Sequence, residues 1–472
     1  MEPQNIRFGG GVERTFLNPI VLVVIVIAGV LICFSGRKKA LAAFLIAGVL
    51  IPADQILYLG AIHFPMLRIL AFCTLGRICW LKLSGKGRVF DGGFNGIDKA
   101  MMVMGLFIFI NGLLLWRVWG ELVFQLGNLS TILGVYFSLR FLIQDFEDVK
   151  HGIRVLAGVT AVIALIMAYE HLTGVNLVYS TLGGARASVL GMSINRDDHL
   201  RAAGVFGHPI LAGTFGGIML PLFVGLGLAH KKDRNYAALG IAASTVMSFA
   251  ASSSTALFGF LGGIIGLCFW PLRRRMRMIQ WGIVGALVAL HIYMRSPVWH
   301  LISDIDLTGN SSSYHRYQLI DQCISHFWDW VLVGTKSYAS WGWDMWDLCN
   351  QYVAIADQSG LIPLLSFVTV IVLAFKYLGK ARRSAEDKQQ RLFIWALSAS
   401  VFANVVAFWG VSYFDQTIVA WYALLAMIHA TLVSVRRARR EGVLSEPDTV
   451  VAPAVDGCPG RTTEVPSFAV RS

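Results

Sequence analysis

The sequence predicts an all-α polytopic membrane protein of about 12–14 transmembrane helices with one large extracytoplasmic loop. Two observations carry that prediction. The 472-residue chain is 56% hydrophobic but only 14% charged, against about a quarter charged in a soluble domain. Many apolar runs also reach the roughly 17–25 residues that cross a bilayer as helix.

Thirteen such stretches can be read, near 18–35, 40–58, 66–82, 100–119, 122–142, 152–171, 209–229, 236–251, 254–271, 280–295, 351–378, 391–411 and 416–434. The second is interrupted by Pro52 and Asp54, and the two flanking Ser252-Ser253-Ser254 are short. The resulting organisation is N-terminal helices over 1–171, a first outer loop over 172–208 and central helices over 209–295. A large outer loop over 296–350, C-terminal helices over 351–440 and a disordered cytoplasmic tail over 441–472 complete it. No N-terminal stretch reads as a cleaved signal peptide, because residues 18–34 run into Arg37-Lys38-Lys39 rather than a small-residue cleavage site.

Charge placement decides what the net charge of +12 means. Basic clusters occupy alternate loops, at Arg37–Lys39, Lys82–Arg88, Lys150/Arg154, Lys231–Arg234, Arg273–Arg277, Lys380–Lys388 and Arg436–Arg440. That is the positive-inside pattern; it points to a bilayer and not to nucleic acid as partner. It puts the N-terminus outside, the C-terminus inside and loops 172–208 and 296–350 on the outer face.

Those two loops hold selected arginines: Arg186, Arg196, Arg201, Arg295 and Arg316. Arg201 stands before Pro209, which suits the first turn of a helix. Backbone donors in such a turn, with a guanidinium beside them, form a site for phosphate or carboxylate. Contact with lipid headgroups is the competing reading. In the larger loop, residues 314–328 predict an amphipathic helix with Ile320, Cys323, Ile324 and Phe327 on one face and Arg316 and Asp321 off it. Five tryptophans follow between Trp328 and Trp346, as an interfacial belt or as sugar-stacking faces.

Where the chain re-enters the bilayer, Asp347 and Asp357 are carboxylates with a possible general-base role, and Asp347 and Asn350 are equally good helix caps. Cys323 and Cys349 share the outer loop and are candidates for a disulfide; the other apolar cysteines read as packing residues. Of the arginines inside spans, Arg77 and Arg140 read as snorkelling near cytoplasmic ends, whereas Arg68 faces an outer cavity. No internal repeat, nucleotide-binding signature or cysteine spacing for a metal is present.

Three stretches resemble the O-antigen ligase and polymerase superfamily of bacterial envelope glycosyltransferases. They are YFSLRFLIQDFEDV with YEHLTGVN (136–149 and 169–176), RAAGVFGHPILAGTFGGIMLPL (201–222), and HRYQLIDQCISHFWDWVLVGTK through CNQYVAIADQSGLIPLL. The likeness covers roughly residues 120–380. It implies a GT-C-like fold in a bacterial inner membrane and a metal- and cofactor-independent reaction. A glycan would pass from an undecaprenyl diphosphate carrier to a lipid or glycan acceptor at the outer face. The resemblance assigns Arg201 and Arg316, with Arg186, to the diphosphate, and Asn350 and Tyr352 to supporting positions. The family's closing segment has histidine before the asparagine, where this chain has Cys349. Asp347, His208 and His326 (with His315 also within reach) are the groups left to act as base. A transporter or flippase for a lipid-linked or anionic substrate, or a non-catalytic envelope partner, is the alternative.

Overall fold

The computed structural model describes residues 14–445 except 61, 86–88, 185–193, 197–198, 230, 295 and 304–312. Among them are helices α1 (Pro19–Phe34), α2 (Arg37–Leu50), α3 (Met66–Leu83), α4 (Gly96–Trp116), α5 (Trp119–Leu142) and α6 (Phe146–Thr173). Next come α7 (Leu177–Leu182), α8 (Pro209–Ala229), α9 (Arg234–Ala250), α10 (Ser254–Cys268) and α11 (Met276–Tyr293). The chain ends with α12 (Ser313–Ser325), α13 (Phe327–Trp330), α14 (Gln351–Ser359), α15 (Leu361–Ser384), α16 (Lys388–Ala407) and α17 (Thr417–Ser445). Two antiparallel hairpins accompany them: β1 (Ile56–Leu59) with β2 (Ile62–Pro65), and β3 (Ile194–Arg196) with β4 (His199–Arg201).

Among the described residues, seven helices, α4, α5, α6, α8, α15, α16 and α17, are long and apolar enough to cross a membrane, and α1, α10 and part of α11 are shorter apolar helices. Large apolar side chains such as Ile20, Val23, Leu165, Trp281 and Ile292 stand exposed on these helices. A water-soluble surface does not carry so much contiguous apolar area. The protein is membrane-embedded and all-α in its core.

Two of the expected spans are corrected. The stretch 40–58 is helical only to Leu50 and then turns into the β1–β2 hairpin. Pro52 forces its predecessor out of the helical region, and Ile51 is extended (φ −80°, ψ 124°). The stretch 351–378 is two helices, α14 and α15, broken at Gly360 (φ 87°). A Cβ there would lie 2.7 Å from the Leu332 carbonyl oxygen, so only glycine lets the two backbones approach.

The packing centre is α8. Its glycines let neighbouring backbones touch: a Cβ on Gly213 would sit 2.5 Å from that of Ala251, and one on Gly217 would sit 2.7 Å from the Phe260 nitrogen. With little hydrophobic drive between helices in lipid, such close contact is what holds them. The buried arginines of these helices have polar partners. Arg140, on α5, is fully buried, so it does not snorkel as expected. Its Nε lies 3.6 Å from Asp98 on α4, and its Nη2 donates to the Asp91 carbonyl at 3.0 Å. Arg68 donates to the His63 carbonyl of β2 at 2.7 Å, tying the hairpin to α3.

Candidate functional site

The segment from Arg201 to Pro209 crosses the molecule's interior as irregular chain, and nearly all of it is buried. Each of its backbone groups therefore needs a partner. Ala202 N–H donates to the Ala250 carbonyl at 3.0 Å, continuing the contact of β4 with the end of α9. The Glu170 carboxylate, fully buried at the end of α6, accepts from the N–H groups of Ala203 and Gly204 at 3.1 and 2.7 Å. Asn176 bonds Glu170 and the Gly204 carbonyl, Gln416 bonds the Val205 carbonyl, and Asp415 accepts from Gly207 N–H. Gly204 is left-handed (φ 60°), and a Cβ there would press to 2.9 Å from Met167. The segment is thus clamped by four polar side chains from α6, the α6–α7 turn and the lead-in to α17.

Arg201 is buried, and its Nε donates to the Ala251 carbonyl at 3.4 Å. Ala251 begins the turn Ala251–Ser253 between α9 and α10. Ser252 there adopts φ 42° and donates from its hydroxyl to the Leu200 carbonyl at 3.3 Å. Ser253 is the N-cap of α10 but makes no side-chain cap, so the first-turn N–H groups of α10 keep their dipole uncovered by that residue. Ser253, Ser254 and Thr255 are all buried.

Arg316 reaches the first turn of α10 from the other loop. Its Nη2 donates to Thr255 Oγ1 at 2.7 Å, and Thr255 in turn donates to the Gly410 carbonyl at 3.3 Å. The helix around Arg316 forms as expected, but its buried face is Arg316, Leu319, Ile320 and Cys323, with Ser313 and His315 at its start. Arg316 lies on that face and Ile324 is exposed, the reverse of the expectation. Hydropathy alone puts an arginine outside; the Thr255 hydroxyl gives it a polar partner inside. Two arginines from separate loops therefore bond the two ends of the α9–α10 junction, Ala251 and Thr255.

The remaining expected site residues divide. Arg186 lies outside the described residues. His208 starts α8, and its Nδ1 accepts from Ile210 N–H at 3.2 Å. In that tautomer Nε2 carries the proton, so the remaining ring nitrogen donates and does not accept. His326 stacks on Trp341 (centroids 4.4 Å apart) and donates from Nδ1 to the Gln322 carbonyl. It sits ten residues beyond Arg316, about 15 Å along a helix axis. Asn350 is buried and caps α14, accepting from Tyr352 and Val353 N–H, which is the structural alternative foreseen for it. Tyr352 packs its ring on Trp409 and Phe408.

Asp347 is exposed, and its carbonyl accepts from His315 Nε2 at 3.0 Å. Cys323 and Cys349 are free thiols, not a disulfide. Burial and the nearby Asp347 carboxylate push the Cys349 thiol up to about 12, against a smaller opposing pull from Arg316. A thiol held that high takes no proton at neutral pH, so Cys349 does not stand in for an imidazole. Burial, with Asp357 beside it, likewise raises the Cys323 thiol.

Sequence reasoning missed Thr255 and the turn before it as site elements. The signal was present: four consecutive hydroxyl residues, Ser252–Thr255, between two apolar stretches. It also missed Glu170 and Asp415, whose roles are visible only once the chain is folded. No family model matches the chain, and no curated protein matches it.

Proposed function

We propose that this protein transfers a glycan from an undecaprenyl diphosphate carrier to an acceptor hydroxyl at the outer face of a bacterial inner membrane, as an O-antigen ligase- or polymerase-like enzyme. The observation that carries the proposal is that Arg201 and Arg316 bond the two ends of the α9–α10 junction, at Ala251 and Thr255. A departing lipid diphosphate gathers negative charge, and guanidinium groups fixed beside a helix N-terminus stabilise it most where water is excluded. Arginine suits the task because its planar fork matches phosphate oxygens at any working pH. The motif resemblance around the same two arginines agrees with this chemistry. Of the three groups expected to act as base, His208 is engaged in capping and His326 lies beyond the end of α12, stacked on Trp341. Asp347 is the exposed carboxylate on the Arg316 side of the site, and it takes up the hydroxyl proton.

The test is genetic and chemical. In the source organism, Arg201→Ala and Arg316→Ala are compared with the wild type for surface glycan and for undecaprenyl-linked intermediates. Each variant loses about 10²–10³-fold in transfer, the usual cost of one oxyanion donor, with intermediates accumulating on the carrier. Long chains on the carrier identify a ligase and single repeats a polymerase. Wild-type glycan in both variants overturns the assignment, and carrier-linked glycan trapped on the cytoplasmic face indicates a flippase instead.

A further inference from the structure

A second cluster beside the arginine pair has metal-binding chemistry. A ring nitrogen of His315, a carboxylate oxygen of Asp347 and the sulfur of Cys349 all lie within 4.8 Å of one another. His315 is 7% exposed, and its Nδ1 makes no hydrogen bond. Its other nitrogen, Nε2, faces the Asp347 carbonyl at 3.0 Å, and a carbonyl only accepts. Nε2 therefore carries a proton, which leaves Nδ1 as the nitrogen able to ligate when the ring is neutral. An imidazole fixed through one nitrogen to a carbonyl, with the other nitrogen free, is the arrangement metal-bound histidines adopt.

We infer that His315, Asp347 and Cys349 form a binding site for a borderline divalent transition-metal ion of the zinc class. The donor set is nitrogen, oxygen and sulfur, which zinc and cobalt accept and magnesium and calcium do not favour. Ligands around such an ion sit roughly 3.5 Å apart in tetrahedral geometry, which small side-chain rotations of these three would reach. Charge balances: the carboxylate and a thiolate neutralise the two positive charges, so the ion adds little repulsion to Arg316. On binding, the Cys349 S–H bond gives way to a metal–sulfur bond and the proton leaves to solvent. Three protein ligands leave a fourth position open.

The site shares Asp347 with the proposed transfer reaction, so metal binding is read out separately from transfer. Cobalt(II) is titrated into the full-length chain purified in detergent, and metal content after dialysis is measured beside the visible spectrum. One cobalt per chain is expected, with a thiolate-to-cobalt charge-transfer band that disappears in Cys349→Ser. His315→Gln weakens binding by more than the roughly 10–100-fold that an outer-layer partner alone is worth. Cys323→Ser, which alters the other thiol of this loop, leaves stoichiometry and band unchanged and shows that the loop tolerates substitution. Substoichiometric cobalt in the wild type, or a band that survives Cys349→Ser, overturns the site. The roles of Asp347 as ligand and as base separate cleanly: Cys349→Ser strips the metal but leaves a carboxylate base intact, whereas Arg316→Ala impairs transfer and leaves cobalt binding in place.

Discussion

Arg140 and Arg316 are both buried arginines, yet they belong to different chemistry. Arg140 faces Asp98 and backbone carbonyls, a closed set in which every partner is structural. Breaking a buried pair leaves a charge without its counter-ion and costs about 3–5 kcal/mol. Arg140→Met should therefore lower the unfolding temperature of the purified protein, and Arg140→Met with Asp98→Asn should recover part of the loss. An unchanged melt in the single variant would contradict a structural role. Arg316 meets the Thr255 hydroxyl at the mouth of a helix. Arg316→Lys keeps the charge and loses the planar fork, so transfer should fall by at least about tenfold with the melting temperature within a few degrees of wild type. The sequence made both residues conspicuous but misjudged how each is housed. Hydropathy sends a charge outward, whereas here Asp98 and Thr255, distant in the chain, make an interior position tolerable. Thr255 escaped notice as the partner of Arg316 because no local spacing links residues 61 positions apart.

At the scale of elements, the junction of α14 and α15 was the least legible from the chain. Residues 351–378 read as one apolar span because Gly360 is a weak signal within a helical pattern. The fold uses that glycine for close approach to Leu332, and Gly334 (φ 92°) for a matching approach to Gln358, whose carbonyl carbon would lie 2.7 Å from a Cβ. Leu361 N–H to the Val331 carbonyl at 3.0 Å, and Thr335 N–H to the Asp357 carbonyl at 2.7 Å, stitch the two segments together. Gly360→Ala meets both a left-handed backbone and a backbone clash, so it should cost about 1–3 kcal/mol and expose residues 331–350 to protease while α8 and α17 stay protected. Equal protection in variant and wild type would show that the junction is not what holds this loop. By contrast, α8, α12 and α16 lie within a few residues of where apolar pattern and proline placement set them. Long periodic runs leave little freedom once a bilayer forbids exposed backbone.

Across the whole molecule, the alternating basic clusters make a definite statement about sidedness. Ser340, exposed near the tryptophan-rich loop, and Arg383, exposed at the end of α15, should lie on opposite faces. In intact cells a membrane-impermeant maleimide should label Ser340→Cys and spare Arg383→Cys, with the parent chain as background. The reverse pattern would place the arginine pair in the cytoplasm and end the reading as an outer-face transferase. Membrane embedding and helix content follow from composition alone; the meeting of two loops at the α9–α10 junction does not, because it depends on how α8, α9 and α10 stack. That stacking has a mechanical consequence. Where Gly213, Gly216 and Gly217 bring α8 into contact with α9 and α10, a Cβ meets backbone or a neighbouring Cβ at once, so α8 has no room to roll or slide. The buried chain from Arg201 runs directly into this fixed post, and on the proposed reaction the travelling part is the lipid: the carrier brings its headgroup to a stationary anchor and drifts away, its tail never leaving the bilayer.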